Sequence, residues 1–357
     1  MGTTADVIVV GGGLAGLAVA LAAADRGARV LLVAERRAGD ATRASAGLLA
    51  PSLGFAPAIA VHARAARDVY PALAHQLHER TGLEVPVDRS GILELLADDD
   101  PSERCVADAR ACGEGAELLD ERALAGLVPD LRPGARAILH PLDGWVDPGP
   151  LVAALVGALA RHPGVSRLDE AAVALRLSDR AAAVTTGAGT TATAPHVVHA
   201  GGAWAGRLDG LPRPLPVRPL AGQLLRLAVA PPPFAIHDAH GYLVPRGRAT
   251  LVGATSDETG FLAEPTAPGR EALLAVAEGI RPGRAGRVED HWAALRPMSP
   301  DGLPILGPDP DRPALVYACG YGRNGVLFAP WAAAWLAERL VGRDAPALVP
   351  FRIARFR

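Results

Sequence analysis

An α/β architecture of two interleaved domains is the fold class this sequence predicts, on three observations. An apolar run at residues 7–10 enters Gly11-Gly12-Gly13-Leu14-Ala15-Gly16, and an Ala-rich stretch of helical character follows before a second apolar run, residues 30–33, that leads to Glu35. Residues 212–296 are Pro-rich and read as short strands around one helix, a texture unlike the opening segment. The C-terminal stretch then reads again as strand, glycine loop and helix. The chain is therefore expected to leave a Rossmann-type nucleotide domain and return to it. The nucleotide domain would take residues 1–85, 142–211 and 292–357, and an α+β domain with a mixed or antiparallel sheet would take 86–141 and 212–291.

The opening segment is justified by what a pyrophosphate needs. A strand, a tight turn without side chains and a helix N-terminus bring backbone amides and the helix dipole onto an anion. Gly11 makes the turn, Gly13 admits the phosphates and Gly16 lets helix and strand pack closely. Glu35 stands nineteen residues past Gly16, at the end of the second strand, where a carboxylate accepts from both ribose hydroxyls. A carboxylate there disfavours a 2'-phosphate, so NADP is not expected. The motif alone does not separate NAD from FAD.

The following elements are read in order. Residues 39–45 are small and polar, and Ala46-Gly47-Leu48-Leu49-Ala50-Pro51 reads as a ligand-contacting loop. Apolar positions recur at helical spacing over 60–80, with Pro71 a start or kink and Thr81-Gly82 an end. A strand is expected at 91–97, a helix at 117–127, a strand at 135–141 and a helix at 149–161. Strands at 171–177, 181–186 and 190–194 lead to a buried strand that runs into Gly201-Gly202-Ala203-Trp204, a second place where backbone can approach a long dinucleotide. Strands at 223–229, 241–245 and 250–254 and a helix at 268–280 fill the Pro-rich region. A strand at 314–318, a loop at 320–325 and a helix at 330–340 complete the chain.

Composition excludes several chemistries. All 36 basic residues are Arg, so a Walker-type lysine, a Schiff-base lysine and pyridoxal-phosphate chemistry are absent from this chain. A net charge of -2 provides no electrostatic reason to expect nucleic acid or an anionic membrane as partner. No apolar run reaches the roughly 18 residues that span a bilayer, and no basic stretch precedes the first apolar run, so a cytoplasmic location is expected. The cysteines at 105, 112 and 319 form no Cys-x-x-Cys pair, and His237 and His240 lack a nearby third ligand, so no metal is expected. The one asparagine, Asn324, stands beside Gly325 in the last glycine loop.

Taken together, the blocks resemble the FAD-dependent D-amino-acid oxidase family, and within it the glycine oxidases of thiamine biosynthesis. The matching stretches are Gly11 to Gly16 with Glu35, the loop from Ala46 to Pro51, Ala200-Gly201-Gly202-Ala203-Trp204, Tyr242-Leu243-Val244-Pro245-Arg246 and Val252-Gly253-Ala254-Thr255. Leu295-Arg296-Pro297-Met298-Ser299-Pro300-Asp301-Gly302-Leu303-Pro304 and Gly320-Tyr321-Gly322-Arg323-Asn324-Gly325 complete the set. The resemblance spans nearly the whole chain and implies a glutathione-reductase-like FAD domain. It implies FAD contacts at Gly11, Gly13, Leu14, Ala15, Gly16, Glu35, Arg36, Arg43, Ala44, Ser45, Gly47 and Leu48. It extends them to Val173, whose backbone would meet adenine, to Ala200, Gly201 and Trp204, and to Gly320, Tyr321, Gly322, Arg323, Asn324, Gly325 and Val326.

For the substrate, the resemblance implies that Arg296 pairs with a carboxylate, that Tyr242 helps hold it, and that His240, Arg323 and Ser256 lie around it. A guanidinium fork matches a carboxylate in a way no other side chain does. The implied reaction passes hydride from the α-carbon of an amino acid to flavin N5 without a general base. The imine hydrolyses to an oxo acid and ammonia, and O2 becomes H2O2; in thiamine synthesis the imine itself would be the useful product. Monomeric sarcosine oxidases attach flavin through a cysteine near the Arg296 block and use a lysine, whereas this chain has Ala294-Leu295-Arg296 and no lysine, so noncovalent FAD is expected. Ser256 and Gly322 replace residues usual in glycine oxidases, which leaves a D-amino acid or an N-methylated amino acid open as substrate, a dehydrogenase open as the activity, and a catalytically silent flavoprotein subunit as a further reading. A homotetramer is what the family suggests.

Overall fold

The computed structural model describes residues 5–97, 106–107, 114–178 and 181–356; Cys105 and Cys112 lie outside the described residues. Val7–Val10 pairs in parallel with Val30–Val33 on one side and His196–His199 on the other. Val165–Leu168 extends this sheet beyond Val30–Val33, and Leu315–Cys319 extends it beyond His196–His199. Ile305–Pro308 closes the far edge as an antiparallel strand of the six-stranded sheet. Strands from both ends of the chain thus share one sheet, as the return to strand, glycine loop and helix predicts.

Both faces of this sheet are covered, which is why its strands read as unbroken apolar runs. Helices Leu14–Ala24, Pro148–Arg161 and Gly325–Leu340 pack on one face with Val7, Val9, Val30 and Leu32. The antiparallel strands Ala172–Leu177, Ala182–Thr186 and Thr191–Ala194 cover the other, against Ile8, Val10, Leu31 and Val197. Helix Leu14–Ala24 is buried nearly all round, as its Ala- and Leu-rich sequence requires.

The second large sheet has eight strands in the order Arg287–Met298, Arg218–Ala228, Ala249–Gly253, Gly241–Arg246, Ala235–Asp238, Ile92–Leu95, Ala137–His140, Glu117–Leu119. It is a mixed sheet, antiparallel except where Ala235–Asp238 runs parallel to Ile92–Leu95. Leu225, Leu227, Ile236, Leu243 and Val252 face helix Ala267–Ile280 through Leu273, Ala277 and Ile280. The opposite face carries Ile92, Leu224, Tyr242 and Val244. A small sheet of Leu48–Leu49, Gly144–Val146 and Val87–Asp88 packs against that face through Leu48 and Trp145.

Several elements differ from expectation. The helix expected at 60–80 is two helices, Pro57–Asp68 and Tyr70–Thr81, with Pro71 in the first turn of the second, where its missing N–H is no loss. The stretch 117–127 is a strand, Glu117–Leu119, followed by helix Glu121–Leu127, because the Asp120 side chain accepts from the Ala123 amide at 2.8 Å and starts the helix there. The last helix begins at Gly325 rather than at Pro330, which lies in its interior. Strands Val165–Leu168, Ala235–Asp238, Arg287–Met298 and Ile305–Pro308 were not expected. Among the described residues no helix is long and apolar enough to cross a membrane.

Candidate active site

A cavity of about 1660 Å³ lies along the C-terminal edge of the parallel sheet and reaches the face of the eight-stranded sheet that carries Tyr242. At its glycine end, Gly11 has φ +120°, and a side chain there would run into the Ala200 carbonyl on the neighbouring strand. A side chain at Gly16 would strike the Gly11 carbonyl, so the helix touches the turn through backbone alone. Gly13, Leu14 and Ala15 present the start of helix Leu14–Ala24 to the cavity, where the first amides have no acceptor one turn earlier. The Leu14 amide donates to Thr42 Oγ1 at 3.1 Å, and the Asp40 carboxylate accepts from the Thr42 amide at 3.0 Å.

Glu35 and Arg36 stand at the end of Val30–Val33 and line the same cavity as Val173. Glu35 also takes Arg37 Nε at 3.1 Å. Arg43, Ala44, Ser45, Gly47 and Leu48 form one wall, shaped by a bond from the Gly47 amide to Ser45 Oγ at 3.1 Å. Ala200, Gly201 and Trp204 form another, with the Arg37 guanidinium 5.4 Å from the centre of the Trp204 ring.

At the other end the cavity meets Tyr321, Gly322, Arg323, Asn324, Gly325 and Val326 and, opposite them, Tyr242 and Arg296. The Tyr242 ring lies over Gly253 and the Arg296 guanidinium over Gly222, so a side chain at either glycine would occupy the place of the functional group. Arg296 Nη1 donates to the carbonyls of Thr255 at 2.9 Å and Ala221 at 3.4 Å. Burial holds the Arg296 guanidinium below its ordinary pKa, with Tyr242 and Asp257 working for its charge and Arg323 against it. Burial pushes the Tyr242 hydroxyl up, so it stays a neutral donor. Arg323 Nη2 donates to Ser256 Oγ at 3.2 Å, and His240 is exposed on the turn before Tyr242.

The structure brings most of the expected site residues together around this cavity. Gly16, Gly320 and Ser256 do not line it: Gly16 packs behind the turn, Gly320 faces Ile305 and Val217, and Ser256 reaches the site only through Arg323. Arg37, Thr42, His199, Asp209 and Phe261 line it without having been singled out, and so does His237, which the sequence marks only as half of a His-x-x-His pair. Thr42 carried a signal, since Asp40-Ala41-Thr42 is a side-chain-to-backbone turn of the kind that caps a short helix. The others are brought in by tertiary pairing. Cys319 also lines the cavity, and burial pushes its thiol up to about 12, so it is held as an unreactive thiol.

Comparison with known proteins agrees with this geometry. The FAD dependent oxidoreductase family, DAO, matches residues 6–339. The chain is 32% identical to a glycine oxidase of Pseudomonas putida, over 95% of each protein. It superposes on the crystal structure of glycine oxidase from Geobacillus kaustophilus with a TM-score of 0.90 at 30% identity, covering 99% of each chain. It superposes on the crystal structure of iminodiacetate oxidase from Chelativorans with a TM-score of 0.87 at 27% identity, covering 97% of this chain and 98% of the other. FAD is the family's cofactor, and this cavity fits it. An acid at a strand end suits the ribose, a glycine-lined helix start suits the pyrophosphate, and the wall at Tyr321 to Val326 brings backbone to the cavity at Gly322 and Gly325. Fold, cavity and comparisons together place the chain in the DAO family of FAD-dependent oxidoreductases.

Proposed function

We propose that this protein oxidises glycine or another small amino acid at its α-carbon, with noncovalent FAD, to an imine that hydrolyses to ammonia and an oxo acid, glyoxylate in the case of glycine. O2 is the acceptor and becomes H2O2, and the imine is available to thiazole assembly. The observation that carries this reading is a partly buried guanidinium whose hydrogen bonds go to carbonyls and not to a carboxylate. Arg296 donates to the neutral carbonyls of Thr255 and Ala221, while Asp257, the acid that favours its charge, accepts from Thr255 Oγ1 and Gln223 Nε2 instead. A desolvated guanidinium of this kind calls for an anion of matching shape, and a carboxylate meets that demand through two parallel hydrogen bonds.

Bound FAD supplies the two-electron acceptor for the α-hydrogen and passes the electrons to oxygen. The chain's own residues bind and orient. Arg296 and the Tyr242 hydroxyl hold the carboxylate, and Arg323 adds a second positive charge close enough to act on Arg296. Two guanidiniums at one end of the chamber favour the neutral amine over the ammonium, which is the form that can release hydride. The relatives that bear the name glycine oxidase over nearly their whole length support glycine as substrate.

The visible spectrum of the purified holoprotein tests the proposal. Glycine added without oxygen is expected to bleach the flavin band, and air is expected to restore it. Bleaching that air does not reverse would make the protein a dehydrogenase, and no bleaching by glycine, D-alanine or sarcosine would overturn the reading.

A further inference from the structure

The sheet face that carries Tyr242 continues across two more strands, and the first of them still borders the cavity. Tyr242 stands directly opposite His237, and His237 directly opposite Glu94. Direct cross-strand partners project from the same face of a sheet, and a strand spacing of about 4.8 Å puts Glu94 roughly 10 Å from Tyr242 across the sheet. His237 lines the cavity beside Tyr242 and Arg323. Behind it, Glu94 Oε2 is bound to Nε2 of the buried His140 at 2.8 Å.

Burial holds His237 below its ordinary pKa; Glu94 and Asp238 favour its charged form, while His140 and Arg323 oppose it. A neutral ring keeps one nitrogen with a free lone pair. Glycine, with its carboxylate at Arg296, has no side-chain atom to meet this wall, so the polar row has no use in glycine turnover. We infer that His237, backed by Glu94, forms a subsite for a hydroxyl or amino substituent on the side chain of the substrate. The inference rests on the amino-acid oxidase reading and deepens it. The lone pair is an acceptor, and the negative charge of Glu94 behind the ring strengthens it, so the subsite complements a donor. A purely aliphatic substituent leaves that acceptor unpaired, which is the way a polar site rejects an apolar analogue.

The test is the ratio of kcat/KM for serine to that for alanine, each enantiomer compared with its own counterpart, in flavin-loaded wild type, His237→Phe and Glu94→Gln. One neutral hydrogen bond gives an expected ratio of about ten in the wild type. The ratio is expected to fall to about one in His237→Phe and to fall in the same direction in Glu94→Gln, which keeps the ring and serves if the first variant does not fold. A wild-type ratio near one overturns the inference, and so does a ratio that neither variant changes. Failure of glycine and all four of these substrates to reduce the flavin overturns the oxidase reading instead.

Discussion

The Tyr70 hydroxyl donates to the Val326 carbonyl. That carbonyl is the acceptor which Pro330, four residues later in helix Gly325–Leu340 and without an N–H, leaves free. The arrangement explains how a proline survives inside a buried helix. The side chain of a second helix, Tyr70–Thr81, supplies the donor that the backbone lacks. Val326 lines the cavity, so the same bond ties the cofactor wall to the core.

Tyr70→Phe is therefore expected to destabilise the protein by about 1–3 kcal/mol, the cost of a buried carbonyl left without a donor. Pro330→Ala in the same background is expected to recover most of the loss, because the restored N–H can reach Val326. Urea unfolding of the wild type, both single variants and the double variant measures the coupling. Strict additivity would show that Pro330 and Tyr70 are independent.

Arg296→Lys keeps the charge and loses the fork. With the Thr255 carbonyl still available to a single ammonium, the flavin end of the cavity is expected to stay intact while kcat/KM for glycine falls by roughly a hundredfold or more. Most of the change is expected in KM, read from steady-state peroxide formation. An unaltered KM would remove Arg296 from the site.

Two substitutions separate the turn from the ribose contact. Gly11→Ala meets the Ala200 carbonyl at a backbone angle that L-residues avoid, so the protein is expected to purify with little or no flavin. Glu35→Gln keeps the shape and loses the charge, and is expected to weaken FAD binding by about tenfold. The flavin-to-protein absorbance ratio reads the first, and quenching of flavin fluorescence on titration reads the second.

Asp6 provides a pH prediction at the start of the fold. Hydrogen bonds from the Arg29 side chain and amide, the shortest at 2.7 Å, hold its carboxyl down at about 2, below the ordinary 3.8. A carboxyl lowered on folding adds stability that is fully present above the unfolded value and lost as pH falls through the folded one. The stability gap between wild type and Asp6→Asn is therefore expected to be constant above about pH 5 and to close towards pH 2. The pair is exposed, so the gap is small. Urea midpoints measured from pH 2 to 6 check it, and a gap that widens in acid would contradict the sign.

The parts of the fold that were legible in the sequence are those where backbone geometry leaves few residue choices. Gly11 and Gly16 are needed because a carbonyl occupies the space of a side chain, and Gly322 because its backbone angle is one that L-residues avoid. Strand Arg287–Met298 was missed because its first half is largely exposed at the sheet edge, so Arg287, Glu289 and Asp290 break any apolar alternation. Helix Gly325–Leu340 was clipped at Pro330, because only the tertiary bond from Tyr70 reveals why the proline is tolerated. Asp209 is not legible for a different reason, and His237 is legible only as half of a His-x-x-His pair. Asp209 is brought in by its bridge to Ala174, and His237 takes its place on the face of Tyr242 through the hairpin that pairs the two.

Because the sheet that carries the glycine turn also takes Leu315–Cys319, assembly order matters during synthesis. A nascent chain still attached to the ribosome can form the turn, the ribose acid and the Pro148–Arg161 helix while the opposite wall is unmade. It then lacks Tyr321 to Val326 and exposes the apolar face that helix Gly325–Leu340 later covers. Capture of the cofactor is thus an event of the finished polypeptide. Until that segment is in place, the unfinished cavity and the uncovered apolar face are where proteases and chaperones would act first.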